Sequence, residues 1–422
     1  MTRAMKDSGI EWIGEIPKDW SISKYKYYSD NRMGETILVE DTNIEEGVPI
    51  YSATQDDKIL GYVKNPSLVL HKGDFVIPAR GNSIGCVSVV KEDVATCTQT
   101  TICSRNIKNI NKDFLFYCSL GLHSEWFKYE GSAIPQVTVN QIKNNLVPIP
   151  SMPEQQKIAD FLDEKCSHID SVLEKVRASI DEYKQLKQSV ITQAVTKGIR
   201  PNRPMKDSGI EWIGEIPANW KVYPLKYLVD IPITDGTHNT PTYTDKENGS
   251  PFLSSKDITS GHIDWSSIKY ITKELHEQLQ KEVAPKRNDI LLAKNGTTGI
   301  GALVEEDIVF DIYVTLALIR PNQSIVLPKF LLYLINSSLC KIQYDKHLIG
   351  IGVPNLHLNI INNVKVIITD AKDEQQEIVS YLDDKCSKID KLITKKEQLI
   401  AELETYKKSL IYEYVTGKKE VK

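Results

Sequence analysis

Polar residues that close or interrupt apolar runs are the first candidates for chemistry. The stretch "ARGNSIG" sets Arg80, Asn82 and Ser83 behind the strand-like "DFVIP", while "SATQDDK" offers Ser52, Thr54 and Gln55 and "IPQVT" adds Gln136 and Thr138. Further along, "TDGTHNTPTY" carries His238, Asn239 and Thr240, "SSKDITSG" carries Lys256, and "AKNGTTGIG" carries Lys294, Asn295, Thr297 and Thr298. Arg and Lys reach phosphate and guanine oxygens, and Asn, Gln, Ser and Thr exchange hydrogen bonds with base edges. The same residue types also make ordinary solvated turns, and His238 suits a turn-stabilising role as well as a ligand contact.

Signatures of catalysis are missing from the sequence. No G-x-x-x-x-G-K-[ST] loop is present to cradle a triphosphate, and "NGTTGIG" from Asn295 lacks the ribose-binding acid that a dinucleotide site needs about 20 residues on. An adenine methyltransferase needs an acid or Asn before Pro-Pro and an aromatic, and the chain contains no Pro-Pro. The eight histidines never fall in H-E-x-x-H spacing or beside a cysteine pair, so no metal is expected.

Composition narrows the class further. At 422 residues with 41% hydrophobic and 26% charged content, the chain exceeds one ordinary core and suggests two or three folded units. A net charge of −4 argues against coating nucleic acid by bulk electrostatics, so any contact with DNA is expected to be a local patch. Seven cysteines without a C-x-x-C pair suit reduced, mostly buried thiols. The absence of a long uncharged apolar run, and of an apolar stretch in "MTRAMKDSG", leads us to expect a cytoplasmic protein.

The elements that must position these loops are written twice. "MKDSGIEWIGEIPKDW" from Met5 returns at Met205 as "MKDSGIEWIGEIPANW", and "EQQKIADFLDEKCSHID" from Glu154 returns at Glu374 as "EQQEIVSYLDDKCSKID". The interiors diverge but keep echoes, such as "KGDFVIPARGNSIG" with "RNDILLAKNGTTGIG" and "KDFLFYCS" with "KFLLYLIN". Short β-branched and aromatic runs broken by Gly, Asn and Asp predict strands. One amphipathic helix is predicted in each interior, opened by Asn111 and by Leu327-Pro328.

Each closing phrase starts a long helix. Apolar residues at Ile169, Val172, Val176, Tyr183, Leu186 and Val190 follow a 3-4 spacing interrupted once by Ser179. In the second copy Ile389, Leu392, Leu399, Leu403, Tyr406 and Leu410 do the same, interrupted once by Lys396. Two equivalent units joined head to tail favour a pseudo-two-fold arrangement with antiparallel helices. A helix of roughly 28 residues rises about 42 Å, a little over one turn of DNA. Gly198 and the prolines of "VTKGIRPNRP" mark the joint, and the equivalent "VTGKKEVK" at the end suggests neighbouring termini. The expected fold is α+β: two similar mixed α/β domains separated by a pair of long antiparallel coiled-coil helices, related by a pseudo-two-fold internal repeat. The expected boundaries are 1–152 and 205–372 for the domains, 153–198 and 373–422 for the helical regions, and 199–204 for the linker.

With these residues in view, the chain resembles the DNA-specificity subunits of type I restriction-modification systems over essentially its whole length. The resemblance rests on "WIGEIP" followed by Trp20 or Trp220, the twofold "EQQ-I---LD-KCS-ID", the "VTKG" helix end, and "DGTHNTP" with "PFLSSKDITSGHIDWSSIKYIT". It implies that the interiors are target recognition domains for the two halves of a bipartite, asymmetric DNA sequence and that the helices are the spacer. It also implies that two modification subunits dock on the repeated regions and supply S-adenosylmethionine-dependent adenine methylation. Two restriction subunits would add ATP- and Mg-driven translocation and cleavage, and this chain would be a reader without catalysis or cofactor. The repeated Trp12, Trp20, Trp212 and Trp220 are candidate docking anchors, with packing of each domain base as the alternative. Two other classes compete with this reading: an enzyme with degenerate nuclease or methyltransferase motifs, and a scaffold whose heads bind proteins.

Overall fold

The computed structural model describes residues 3–421 apart from 39, 41, 43–45, 55–57, 130–134 and 349–354. The chain forms two compact units, Met1–Arg177 with Glu397–Lys422, and Ala178–Lys396. Each long helix contributes residues to both units, because a helix of 46 or 44 residues outruns the domain that starts it.

The first unit is built on a four-stranded antiparallel sheet in the order Asp30–Met33, Thr101–Arg105, Phe75–Pro78 and Ser88–Val89. A smaller sheet of Val48–Tyr51, Tyr62–Val63 and the parallel strand Thr96–Cys97 lies beside it in the same unit. The second unit repeats that plan, with Thr234–Asp235, Leu316–Ile319, Ile290–Ala293 and Gly301–Leu303 in the equivalent order. Central strands such as Ile290–Ala293 and Leu316–Ile319 are buried at every residue, which is why they read as continuous apolar runs and not as alternating ones. Its second sheet gains a strand, and a helix Lys273–Glu282 capped by Thr272 follows, which lengthens the interior.

Both predicted interior helices form. Asn111 caps Lys112–Gly121 by accepting from the Phe114 amide at 2.8 Å, and Pro328 occupies the first turn of Pro328–Ile335 after Leu327.

The repeated phrases meet in one buried cluster per unit. In the first, the Trp20 indole donates to Glu154 Oε2 at 3.0 Å while Arg3 donates to Glu154 Oε1 at 2.5 Å and lies 5.6 Å from the indole ring. In the second, Trp220, Glu374 and Arg203 repeat this with 3.0, 2.5 and 5.3 Å, and Thr369 adds a bond to Glu374 at 2.9 Å. The next residue ties the helix start to the domain: Gln155 accepts the Asn111 amide and Gln375 the Leu327 amide. Further on, Tyr117 and Tyr333 each donate to Asp163 and Asp383 at 2.6 Å.

The far ends of the helices close on the same tryptophans. Gly417 (φ +70) and Gly198 (φ +74) sit beside Trp20 and Trp220, where a Cβ would strike Pro17 and the Arg203 guanidinium respectively as well as adopt a left-handed backbone. Lys418 donates to the Ile13 and Glu15 carbonyls, and Lys197 to that of Glu215. Within the first unit the chain's two end segments are thus bonded to each other, as the repeated phrases suggest.

Within each unit the helical stretches run antiparallel. Asp170 pairs with Lys407 and Arg177 with Glu404 in the first, and Lys187 with Asp390 in the second. The seam differs from the sequence reading at every second position. Cys166, Ile169, Leu173, Ile180 and Ile191 are buried, whereas Leu186, Leu392, Leu399 and Tyr406 are exposed. Adjacent apolar pairs such as Val172-Leu173 and Leu399-Ile400 leave the phase of a 3-4 spacing open in sequence, and packing selects the second member. Lys396 and Ser179 are both half-buried, and the Lys396 ammonium lies 5.7 Å from the Tyr183 ring.

Burial opposes ionisation of Glu374, but the bonds from Arg203, Thr369 and Trp220 outweigh it and hold the carboxyl below its ordinary value. A lowered folded value means that the stabilisation is full above the ordinary carboxylate range and is lost as pH falls through the folded value. Replacing Glu374 by Gln is expected to cost the second unit roughly 3 kcal/mol at neutral pH by stranding Arg203, a deficit that urea denaturation should show shrinking at acidic pH.

Candidate nucleic-acid interface

In the first unit, strand Phe75–Pro78 delivers the chain into a tight turn at Gly81–Ser83, where Gly81 adopts φ +78. Arg80 pairs with Gln136 in an isolated bridge, and the Val137 amide bonds the Ala79 carbonyl at 2.9 Å. Ser83 donates to the Ala53 carbonyl at 2.8 Å, which brings the Ser52–Thr54 loop alongside. Ser52 and Thr98 share a hydroxyl contact at 3.2 Å, and Thr98 and Thr100 another at 2.8 Å. Four segments far apart in sequence therefore share one end of the sheet, with Arg80, Asn82, Gln99 and Gln136 exposed.

The second unit assembles the equivalent segments. Lys294 follows strand Ile290–Ala293; its amide donates to the Thr315 carbonyl and its carbonyl accepts from Leu356, both at 2.8 Å. Asn295 bridges to Asn355 as Arg80 does to Gln136. The Ser255 amide donates to Thr315 Oγ1 at 3.0 Å, placing exposed Lys256 near this cluster. Gly236 and Gly34 occupy matching close approaches, where a Cβ would strike the Ile312 and Thr98 carbonyls. That contact holds the Asp235–Thr240 loop at its station. Beneath it, burial raises Asp311 above its ordinary carboxyl value despite bonds from His276 and Gln280.

The structure sorts the candidates chosen from sequence. Arg80, Asn82, Gln136, His238, Asn239, Thr240, Lys256 and Thr297 are exposed, and Ser52, Thr54, Asn295 and Thr298 are half-buried at the loop ends. His238 is 72% exposed and touches Asp235 at 3.2 Å, which joins turn stabilisation to accessibility. Three candidates are occupied by architecture. Lys294 is 6% exposed and ion-paired to Asp235, buried Ser83 holds the Ala53 carbonyl, and Thr138, although exposed, caps Val139–Asn144. Gln55 lies outside the described residues. Sequence reasoning passed over Thr98, Gln99, Thr100, Thr315 and Asn355; the polar run "TQTT" inside an apolar stretch was the available signal.

Of the repeated tryptophans, Trp20 and Trp220 are 1% and 0% exposed, so they pack the domain base and leave no face for a partner. Trp12 and Trp212 are half-buried; Trp12 accepts Tyr412 on its carbonyl, and Lys346 lies 5.7 Å from the Trp212 ring. All seven cysteines are free and six are buried. Among the described residues no group of His, Cys, Asp and Glu has metal-holding geometry, and no helix is long and apolar enough to cross a membrane.

Two units of one plan, each presenting a different set of polar loops from a shared helical frame, define a duplicated recognition protein. The model of the type I restriction modification DNA specificity domain matches residues 17–180 and 217–405. The type I restriction enzyme MjaVIII specificity subunit of Methanocaldococcus jannaschii is 26% identical over 96% of this chain and 94% of its own length. The EcoBI specificity subunit of Escherichia coli is 25% identical over 64% of this chain and 57% of its own. A chain solved in a study of complex assembly and conformational transition of the type I R-M system shares the fold, with a TM-score of 0.69 and 17% identity over 96% of this chain and 99% of that one. The chain belongs to the type I restriction-modification specificity-subunit family, whose members are non-catalytic subunits that recognise the DNA target.

Exposed and occupied candidates should separate in experiment. Arg80→Ala is expected to leave stability within about 0.5 kcal/mol while weakening DNA binding. Lys294→Met, which leaves Asp235 only its contact with the exposed His238, should cost roughly 3 kcal/mol of stability; denaturation and DNA-binding titrations on both variants check the contrast.

Proposed function

We propose that this chain reads a bipartite, asymmetric DNA target, one half-site per unit, and holds two modification subunits on its repeated frame. The observation that carries this is the pairing of one sheet plan with two loop chemistries. Arg80, Asn82 and Gln136 stand where the second unit has Asn295, Thr297 and Asn355. Direct readout depends on which donors and acceptors reach the base edges, so loops of different composition on the same scaffold select different sequences. Ser52 and Thr54 extend the first loop set; His238, Asn239, Thr240, Lys256 and Thr298 extend the second.

The repeated frame supports docking of two identical partners. In the first unit, the second long helix shows Leu399 and Tyr406 seven residues apart and exposed, and large apolar side chains on one helix face suit burial by a partner. Trp12 and Trp212 remain candidate anchors at the repeated hairpins. In this reading S-adenosylmethionine belongs to the modification subunits and ATP with Mg to two restriction subunits. This chain carries no cofactor, and the complex works in the cytoplasm on double-stranded DNA.

The test is long-read mapping of methylated adenine in DNA from cells that express the chain with its modification subunit. Two short defined halves around a fixed unread gap are expected; a single continuous motif would contradict the reading. Inserting one heptad after Arg177 and another after Lys396 adds about 10.5 Å of helix, so the gap is expected to grow by about 3 base pairs at 3.4 Å each with both halves unchanged.

A further inference from the structure

The second unit contains a cleft of about 1430 Å³, walled by both long helices on one side and by the loops Thr259–Gly261 and Thr297–Ile300 on the other. Five lysines line it: Lys187, Lys329, Lys341, Lys391 and Lys395. Two are neutralised, Lys187 by Asp390 at 2.7 Å and Lys329 by Asp383 at 3.0 Å. Lys341, Lys391 and Lys395 are exposed and have no ion-pair partner among the described residues. The cleft therefore carries three uncompensated positive charges among hydroxyl and amide groups.

The corresponding place in the first unit lacks two of these three lysines, and its Glu125 is paired with Lys128 at 2.5 Å. Tyr117 and Tyr333 are equivalent, since each donates to the Asp of its own helix. Eight residues after them stand Glu125 and Lys341, and four residues before them stand Asp113 and Lys329. On the long helices Ser171 corresponds to Lys391 and Lys175 to Lys395. Burial, and then the nearby Asp163 and Asp160 carboxylates, raise Asp113 above its ordinary value, with Lys112 opposing them. Outside the copied phrases, the charge at this place differs between the two units.

We propose that this cleft binds the phosphodiester backbone of the target DNA beside the half-site read by the second unit, and that the first unit has no such seat. The inference rests on the DNA-reading function above. Lysine is a compact charge that neutralises phosphate without demanding a planar partner, which suits contacts that position a duplex and carry no sequence information. The Thr297–Thr298 loop forms one wall, so a strand seated on that loop passes the lysines on the helices.

The experiment uses the full chain assembled with its modification subunits and follows target-duplex binding by fluorescence anisotropy across a salt series. In the triple variant Lys341→Gln, Lys391→Gln, Lys395→Gln, the slope of log K against log salt should flatten by about 0.9 for each lost phosphate contact, or about 2.7 for all three. The methylated motif should stay the same, and the triple Arg variant should keep the wild-type slope. An unchanged slope in the Gln variant overturns the proposal, and so does a changed motif. Binding of inorganic phosphate or ATP by the wild type that disappears in the Gln variant would assign the cleft to a small anion. If the wild-type complex itself shows no target preference, the functional reading fails first and this proposal with it.

Discussion

The interaction on which the rest depends is the buried Trp–Glu–Arg cluster that occurs once in each unit. Trp20 and Trp220 are large, fully buried side chains whose indole N–H needs an acceptor, and Glu154 and Glu374 supply it from the first turn of a long helix. The glutamate in turn needs a cation, which Arg3 and Arg203 provide while stacking near the indole. Because Gly417 and Gly198 rest on the same tryptophans, one cluster fixes the hairpin, the start of one helix and the end of the other. Truncating either glutamate takes the acceptor from a fully buried indole and the carboxylate from its arginine.

That frame leaves the loops free to differ. Each unit keeps the strand order and the bridge from the turn after its central strand to the segment before the next short helix. On this support the loop donors and acceptors change from exposed Arg80 and Gln136 to half-buried Asn295 and exposed Asn355 without disturbing a core residue. The charge change between the two units follows the same logic, since Lys341 and Lys391 are exposed where the first copy has half-buried Glu125 and exposed Ser171.

The frame was the most legible part of the sequence because its letters each have a structural duty. In "EQQKIADFLDEKCSHID", Glu154 holds Trp20, Gln155 holds the Asn111 amide, Asp163 takes the Tyr117 proton donor, Cys166 and Ile169 fill the seam, and Asp170 pairs with Lys407. Helix phase was less legible, since neighbouring apolar residues such as Leu399 and Ile400 satisfy either alternation until packing chooses. Loop roles were the least legible. Lys294 and Arg80 occupy neighbouring places in equivalent turns, yet Asp235, brought from 59 residues away, buries one while the other stays exposed. No local pattern announces that pairing, nor the arrival of Thr98 and Thr315 beside the turns.

The most direct test of the central claim is to exchange residues 225–364, the interior of the second unit, for the corresponding segment of another family member and map adenine methylation by the assembled complex. Separate reading by two units on one frame predicts that one half of the motif changes while the other half and the gap between them stay as they were. A change in both halves, or in the gap, would contradict it.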